Sequence, residues 1–418
     1  MGGGDRRFLL AGGARQADGS ADAGNSGFRG EPEGLTCQIS GFVARRLNRN
    51  YRSRVLPPPE MDVHLASGMR LVVHVMETRQ VVLQTRVAVG AAHESEDQRG
   101  AAHVVEHMLF TGAGGVTDGA YDRYVRGAGG TDNAYTFQDR TEYDVTTPAL
   151  SLPGLLQLEG GRFSPHTFDP ALLDREVRVT TEEQLMRAEG NQSVAHMFDY
   201  FEQLLPGHPY GRSVSPRAEI NRALTASRVQ AFFDAWYTPD RFTLVVAGNV
   251  VPSTVRTEVE RVFPHAGAPP RADPFPTVVD WTRPRRVDGA EVGTGLMWPM
   301  PPETDPDAAA LHWIAAIAGP SHHAYQWAQG GVWVMRVPDR SMIDSVEQVV
   351  ANHAPDWITQ ERLDAALANE RLPWGLWSAS AWVRAWDRSY PPPVESDCRA
   401  TWNRRIRHVE PTQLAAGG

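Results

Sequence analysis

A chain of 418 residues is long enough for two or three domains and a sizeable core, and its 41% hydrophobic and 22% charged content excludes a disordered protein. The net charge of −9 argues against nucleic acid as a partner, while the use of arginine with no lysine reflects codon composition and carries no function. Two cysteines, Cys37 and Cys398, exclude a disulfide framework and a cysteine-type zinc site and suit a reducing, cytoplasmic setting, and no run reaches transmembrane length, so no membrane partner is expected.

Residues 1–60 read as a disordered tail and lead-in, rich in Gly, Ser, Asp and Ala at first. The apolar patch Phe8–Ala11 is broken by Gly12 and Gly13 and makes a poor signal peptide. Past Pro57-Pro58-Pro59, the segments Met61–Leu65 and Met69–Met76 flank a Ser67-Gly68 turn and predict a hairpin, with Val81–Gly90 a third strand. A helix over Ala101–Phe110 closes at Thr111-Gly112. Asp118 is the expected N-cap of a helix running to Arg126. Thr131–Phe137 and Thr141–Thr147 pair as strands. The glycines before them lack the G-K-[ST] ending of a phosphate loop, which argues against nucleotide binding.

Helices are expected at Leu152–Arg162, Pro170–Ala188, Ser193–Leu205 and Thr225–Trp236, then a strand at Phe242–Ala247 and a helix at Thr254–Val262. Residues 266–286 read as a linker rich in Pro, Ala and Arg. A weaker copy of the pattern follows, with a strand at Val287–Trp298 and helices at Asp307–Ile317 and Gln360–Glu370. Eleven of the twelve tryptophans lie past residue 280, and Trp374, Trp377, Trp382 and Trp386 read either as core or as an aromatic interface. The expected fold is α+β: two related domains, 61–265 and 287–418, each an antiparallel-rich sheet with helices packed on it, the second shortened and degenerate.

The chemistry is concentrated in the Ala101–Phe110 helix. His103 and His107 are four apart and share a face, with Glu106 at its edge and apolar residues around them. Such a helix is buried, and buried ionisable groups must be paired or bind metal. Two neutral imidazoles at this spacing can hold one Zn²⁺, and a neighbouring carboxylate can take a proton from water bound to it; H-x-x-E-H is the inverted zincin signature. The alternative is a pair of hydrogen-bonded core histidines. In the Pro170–Ala188 helix, about 100° per residue puts Glu183 and Glu176 on or beside an apolar stripe through Leu172, Val179 and Met186, and Glu182 off it. A metal close to Glu183, with Glu176 orienting a histidine, accounts for both acids; pairing with Arg175 and Arg178 is the alternative.

Taken together, these motifs resemble the pitrilysin/insulinase family of zinc metallopeptidases, in the short branch similar to mitochondrial processing peptidase. The matching segments are Leu65–Met69, His103-Val-Val-Glu-His107, Gly130–Thr136, Arg175-Glu-Val177, Thr181-Glu-Glu183, His208-Pro-Tyr-Gly211 and Leu244–Asn249. The resemblance implies Zn²⁺ held by His103, His107 and Glu183; Glu183 stands 76 positions beyond His107, the family spacing. It implies Glu106 as general base and an extended peptide substrate paired with the backbone at Asn133 and Ala134. One departure concerns the arginine and tyrosine that active members carry in the second domain. The matching stretch, Gly319 to Trp333, looks shortened and has no arginine, and Trp333 stands where the tyrosine is expected. The expected function is therefore a zinc endopeptidase cutting peptides or leader segments as the zinc-bearing subunit of a heterodimer, its homologous partner supplying the arginine–tyrosine pair. The competing expectation is a non-catalytic scaffold subunit of the same fold.

Overall fold

The computed structural model describes residues 58–116, 118–190, 205, 207–263, 273, 286–288, 295–318, 322–337, 340–352, 355–370, 395–407 and 412–415. Two sheets organise them. The first contains β1 (Met61–His64), β2 (Arg70–Val75), β3 (Gln80–Val87), β4 (Thr131–Thr136), β5 (Thr141–Pro148) and β6 (Phe242–Gly248), in the order β1-β2-β6-β3-β5-β4. All neighbours are antiparallel except β2 and β6. The central strands are dense in Val and Leu, which suit a pleated, covered surface. Leu71, Val73, Leu83, Leu244 and Val246 are fully buried on the helix-bearing face, each burial stabilising by about 1.5–3 kcal/mol. β4, the most polar of these strands, lies at the edge.

Helices α1 (Ala101–Thr111), α2 (Ala120–Gly127), α3 (Leu152–Arg162), α4 (Pro170–Gly190), α5 (Ala218–Arg222), α6 (Ala226–Trp236) and α7 (Pro252–Val262) accompany this sheet. Every residue of α1 is buried, as its apolar surround predicts. No side chain caps α1 from the usual position, which is Gly100 at φ +92°. Instead Glu94 reaches in from six residues upstream and accepts from the amides of Gly100 and Ala102, both at 2.9 Å. It thereby satisfies donors that a buried helix start would leave orphaned. A Cβ on Gly100 would sit 2.5 Å from Asn221 Oδ1, so the entry admits only glycine. Burial pushes the Glu94 carboxyl up to about 8, against the lowering pull of the two amides and of Arg212 and Arg99.

Three expectations are corrected here. Asp118 is not a cap: α2 starts at Ala120 after Gly119, and the Asp118 carboxylate instead takes two hydrogen bonds from Arg175, at 3.1 and 3.2 Å. A bidentate charged pair outweighs a single capping bond. The strand expected over Val287–Trp298 is two separate strands, β7 (Arg286–Asp288) and β8 (Gly295–Met300), which are not neighbours. The buried face of α4 is not the stripe through Leu172, Val179 and Met186. It runs through Leu173, Glu176, Val177, Thr180 and Thr181, and Met186 is 61% exposed. Asn221 selects that face by donating to Val177 O and to both threonine hydroxyls.

The second sheet has the order β7-β11-β8-β10-β9, with β9 (His322–Trp327), β10 (Gly330–Arg336) and β11 (Thr412–Ala415). β7 and β11 are parallel and the rest antiparallel. Helices α8 (Pro306–Ala318), α9 (Ile343–Asn352), α10 (Gln360–Glu370) and α11 (Glu395–Trp402) belong to this part of the chain. Its core is aromatic: Trp333 meets Trp298 and Trp402 edge-on, at 5.4 and 5.9 Å between ring centroids. The architecture is thus α+β, two antiparallel-rich sheets with helices, as the sequence predicts. The Ser193–Leu205 helix, the 1–57 tail and the Trp374–Trp386 cluster lie outside the described residues, apart from Leu205. No helix among the described residues is long and apolar enough to cross a membrane.

Candidate metal centre

Helices α1 and α4 pack against each other and present three donors to one point. The His103 and His107 rings stand edge to face with centroids 4.9 Å apart. Glu183 Oε2, from α4, lies 3.7 Å from His103 Nε2 and 3.8 Å from His107 Nε2. One ligand atom from each of the three residues falls within 4.8 Å of the others. The carboxylate oxygen sits too far from either ring nitrogen for an ordinary hydrogen bond, yet the three atoms converge. Two imidazoles and one carboxylate are the donor set of catalytic zinc, whose bonds of about 2.0–2.2 Å need only a small further closure of this triangle. The residues present therefore fit a zinc ion.

The remaining nitrogen of His107 is also accounted for. Its Nδ1 lies 3.2 Å from Glu176 Oε2. Donation from Nδ1–H to the carboxylate leaves Nε2 as the lone-pair nitrogen facing Glu183. Glu176 Oε1 accepts in turn from Thr111 Oγ1 and from Arg175 Nε, both at 3.2 Å. Burial raises the Glu176 carboxyl, but the bonds and charges of His107 and Arg175 more than reverse this and hold it below the ordinary glutamate range. Burial lowers His107, and Glu176, Glu183 and Glu106 together overcome that and raise it. The arginine pairing considered from sequence thus occurs at Glu176 through Arg175, alongside its bond to histidine.

Glu106 is 4% exposed and accepts a 2.5 Å hydrogen bond from Thr136 Oγ1 at the end of β4. Asn133 and Ala134 lie on the same edge strand and contribute no donor to the three-residue cluster. Asn133 donates to Tyr135 OH at 2.7 Å, and its own Oδ1 accepts from the Ala134 amide. Among the described residues β4 pairs only with β5. Sequence reasoning missed the contacts of Thr136 and Thr111. The strand alternation that puts Thr136 on the buried Ala134 side was the signal available for the first; the second became visible only when α1 met α4. Trp333, at the position where the tyrosine is expected, is fully buried in the second core and meets Trp298 and Trp402 edge-on.

The fold and this donor triangle define a class: an inverted-zincin layout on a two-sheet α+β scaffold. Residues 71–210 match the family Insulinase (Peptidase family M16), and residues 223–329 match Peptidase M16 inactive domain, a match that runs from the first sheet into the second. This chain belongs to the M16 insulinase/pitrilysin family. It is similar to the probable mitochondrial-processing peptidase subunit beta of Arabidopsis thaliana, 23% identical over 281 residues, 64% of this chain and 52% of that protein. It is also similar to the zinc protease PqqE of Helicobacter pylori, 24% identical over 214 residues, 51% of this chain and 48% of that protein. The chain thus spans about half the length of the curated relatives it matches. Among solved structures, a protease from Helicobacter pylori shares the fold with a TM-score of 0.72 at 18% identity, covering 86% of this chain and 100% of that one.

Proposed function

We propose that this chain is a zinc-dependent endopeptidase acting on peptides or unfolded leader segments. The observation that carries the reading is the convergence of His103, His107 and Glu183, from two helices, within 4.8 Å beside a buried Glu106. His103 and His107 would hold zinc through Nε2 and Glu183 through its carboxylate. Bound there, zinc supplies Lewis acidity, which polarises a carbonyl and makes water acidic near neutral pH. Glu106 accepts a proton at its carboxylate and returns it to the leaving amine. Thr136 Oγ1 donates to Oε2 of that carboxylate and helps to fix its orientation. Glu176 holds His107 in the tautomer that ligates. Residues around Asn133 and Ala134, on the outer edge of the sheet, pair with an extended peptide through backbone hydrogen bonds.

In this reading residues 61–265 form the zinc-bearing domain and 287–418 a metal-free one. A homologous partner subunit supplies the arginine–tyrosine pair expected in the Gly319–Trp333 stretch, which holds no arginine. The burial of Trp333 supports the need for a partner, and equally favours a second reading, a scaffold subunit with no turnover. Metal analysis and cleavage assays of the chain, alone and with a related subunit, separate the two. Wild-type chain that holds one zinc and cleaves, against Glu106→Gln chain that holds zinc and does not, supports the enzyme. Full activity from the lone chain refutes the heterodimer, and no cleavage in either setting refutes the enzyme.

A further inference from the structure

The motif His208-Pro-Tyr-Gly211 has no part in the chemistry above, yet its tyrosine sits at the meeting point of the two sheets. Trp327, the last residue of β9, stacks on Tyr210 with ring centroids 5.0 Å apart and 28° between planes. Its Nε1 donates to Gln138 Oε1 at 3.2 Å. The next two residues, in the β9–β10 turn, add backbone bonds: Ala328 N donates to Asp139 Oδ2 at 2.7 Å and Gln329 N to Tyr210 OH at 3.0 Å. Tyr210 is fully buried and Trp327 is 4% exposed.

What this turn grips is the link between β4 and β5, from which two routes lead to α1, one through the end of β4 and one through residues 90–94. One residue before Phe137, Thr136 holds Glu106. On the other side, Phe137 O and Gln138 O accept from the amides of Ala91 and Ala92 at 3.0 and 2.7 Å. The approach is close: a Cβ on Gly90 would lie 2.1 Å from Phe137 O. That loop ends in Glu94, the carboxylate that satisfies the first amides of α1. Arg212, two past Tyr210, ties the same loop down by donating to Ala92 O and Glu94 O.

We propose that Trp327 and Tyr210 are positioning residues. The shortened hairpin of the second sheet clamps the β4–β5 turn and so sets where Glu106 stands and where the ligand helix begins. This rests on the reading of Glu106 as the base. A clasp that only glued the sheets together would leave the Glu106 side of the first sheet unchanged when loosened; a positioning clasp transmits the loosening.

The test uses the full chain, with its partner if turnover requires one, as Trp327→Ala and as Trp327→Phe, which keeps a ring on Tyr210 and loses the donor to Gln138. Amide exchange, zinc content, kcat and KM are read together. We expect Trp327→Ala to speed exchange at residues 91–102 and 131–142 by about tenfold, with β8 and β10 still protected and zinc retained. Its kcat should fall by about tenfold with KM within about twofold, since small misplacements act on the chemical step. Trp327→Phe should recover part of both. Unchanged exchange in both segments, or faster exchange with unaltered kcat, overturns the proposal. If Trp327→Ala does not fold, Trp327→Phe decides alone. If wild-type chain shows no cleavage that Glu106→Gln abolishes, the base reading fails by itself, and the exchange measurement still decides whether the clasp reaches α1.

Discussion

His107 Nδ1 and Glu176 Oε2 lie 3.2 Å apart, on side chains 69 positions apart in sequence and both buried. The contact joins α1 to α4 beside the His103–His107–Glu183 cluster, and its partners Thr111 and Arg175 bond the other carboxylate oxygen. Removing this carboxylate should therefore loosen the ligand without deleting it. Glu176→Ala is expected to weaken zinc binding by about 10–100-fold while leaving one site per chain. Competition with a coloured chelator measures it; unchanged affinity would show that His107 needs no orienting partner.

Thr136 donates a hydrogen bond to Glu106 from the edge strand. Thr136→Val keeps the shape and removes the donor, which at a buried carboxylate costs about 1–3 kcal/mol. We expect kcat to fall by about tenfold or more with zinc content unchanged. A variant with wild-type kcat would release Thr136 from the proton-handling site.

Glu94 caps α1 across a loop instead of from the adjacent position. Glu94→Ala leaves the Gly100 and Ala102 amides buried without this acceptor, a loss of about 1–3 kcal/mol. The urea midpoint of the first transition should fall accordingly, and zinc affinity should fall with it because His103 lies one residue past Ala102. A midpoint within error of wild type would show that the helix start is held by other means.

At the start of α8, the Asp307 carboxylate accepts from Thr401, Arg404 and Arg405. Burial raises its carboxyl, but bonds from Arg404, Thr401 and Arg405 more than reverse this and lower it to about 2. A carboxyl depressed in the folded state adds stability that is present above its unfolded value of 3.8 and is lost as pH falls through about 2. The half-exposed arginines screen the pair, so the contribution is about 1–2 kcal/mol. Thermal unfolding of wild type and Asp307→Asn should differ by that amount at pH 6 and converge toward pH 2; a pH-independent difference would contradict the assignment.

Much of the local structure is legible because it depends on short-range periodicity. The helices at Leu152–Arg162 and Gln360–Glu370 appear with the bounds that spacing and breakers predict, and the helix bearing His103 and His107 extends one residue past Phe110. Asp118 shows the limit: a good capping residue is drawn off by an arginine 57 positions away. Residue patterning reports what a segment prefers alone, and a charged pair formed across the fold outweighs that preference.

The sequence by itself determined that two imidazoles and a carboxylate share one buried helix, because a 3.6-residue repeat leaves them no other arrangement. Only tertiary structure decided the face of α4. Hydrophobic phase points to Leu172 and Met186, whereas the packed face includes Thr180 and Thr181, whose hydroxyls bond to Val177 O and to Asn221. That rotation buries Glu176 under His107 and brings Glu183 to the edge of the packed face, where it meets both rings. The union of Tyr210 with Trp327 is likewise written nowhere in local pattern, since it forms between segments 117 residues apart that meet only when both sheets have folded.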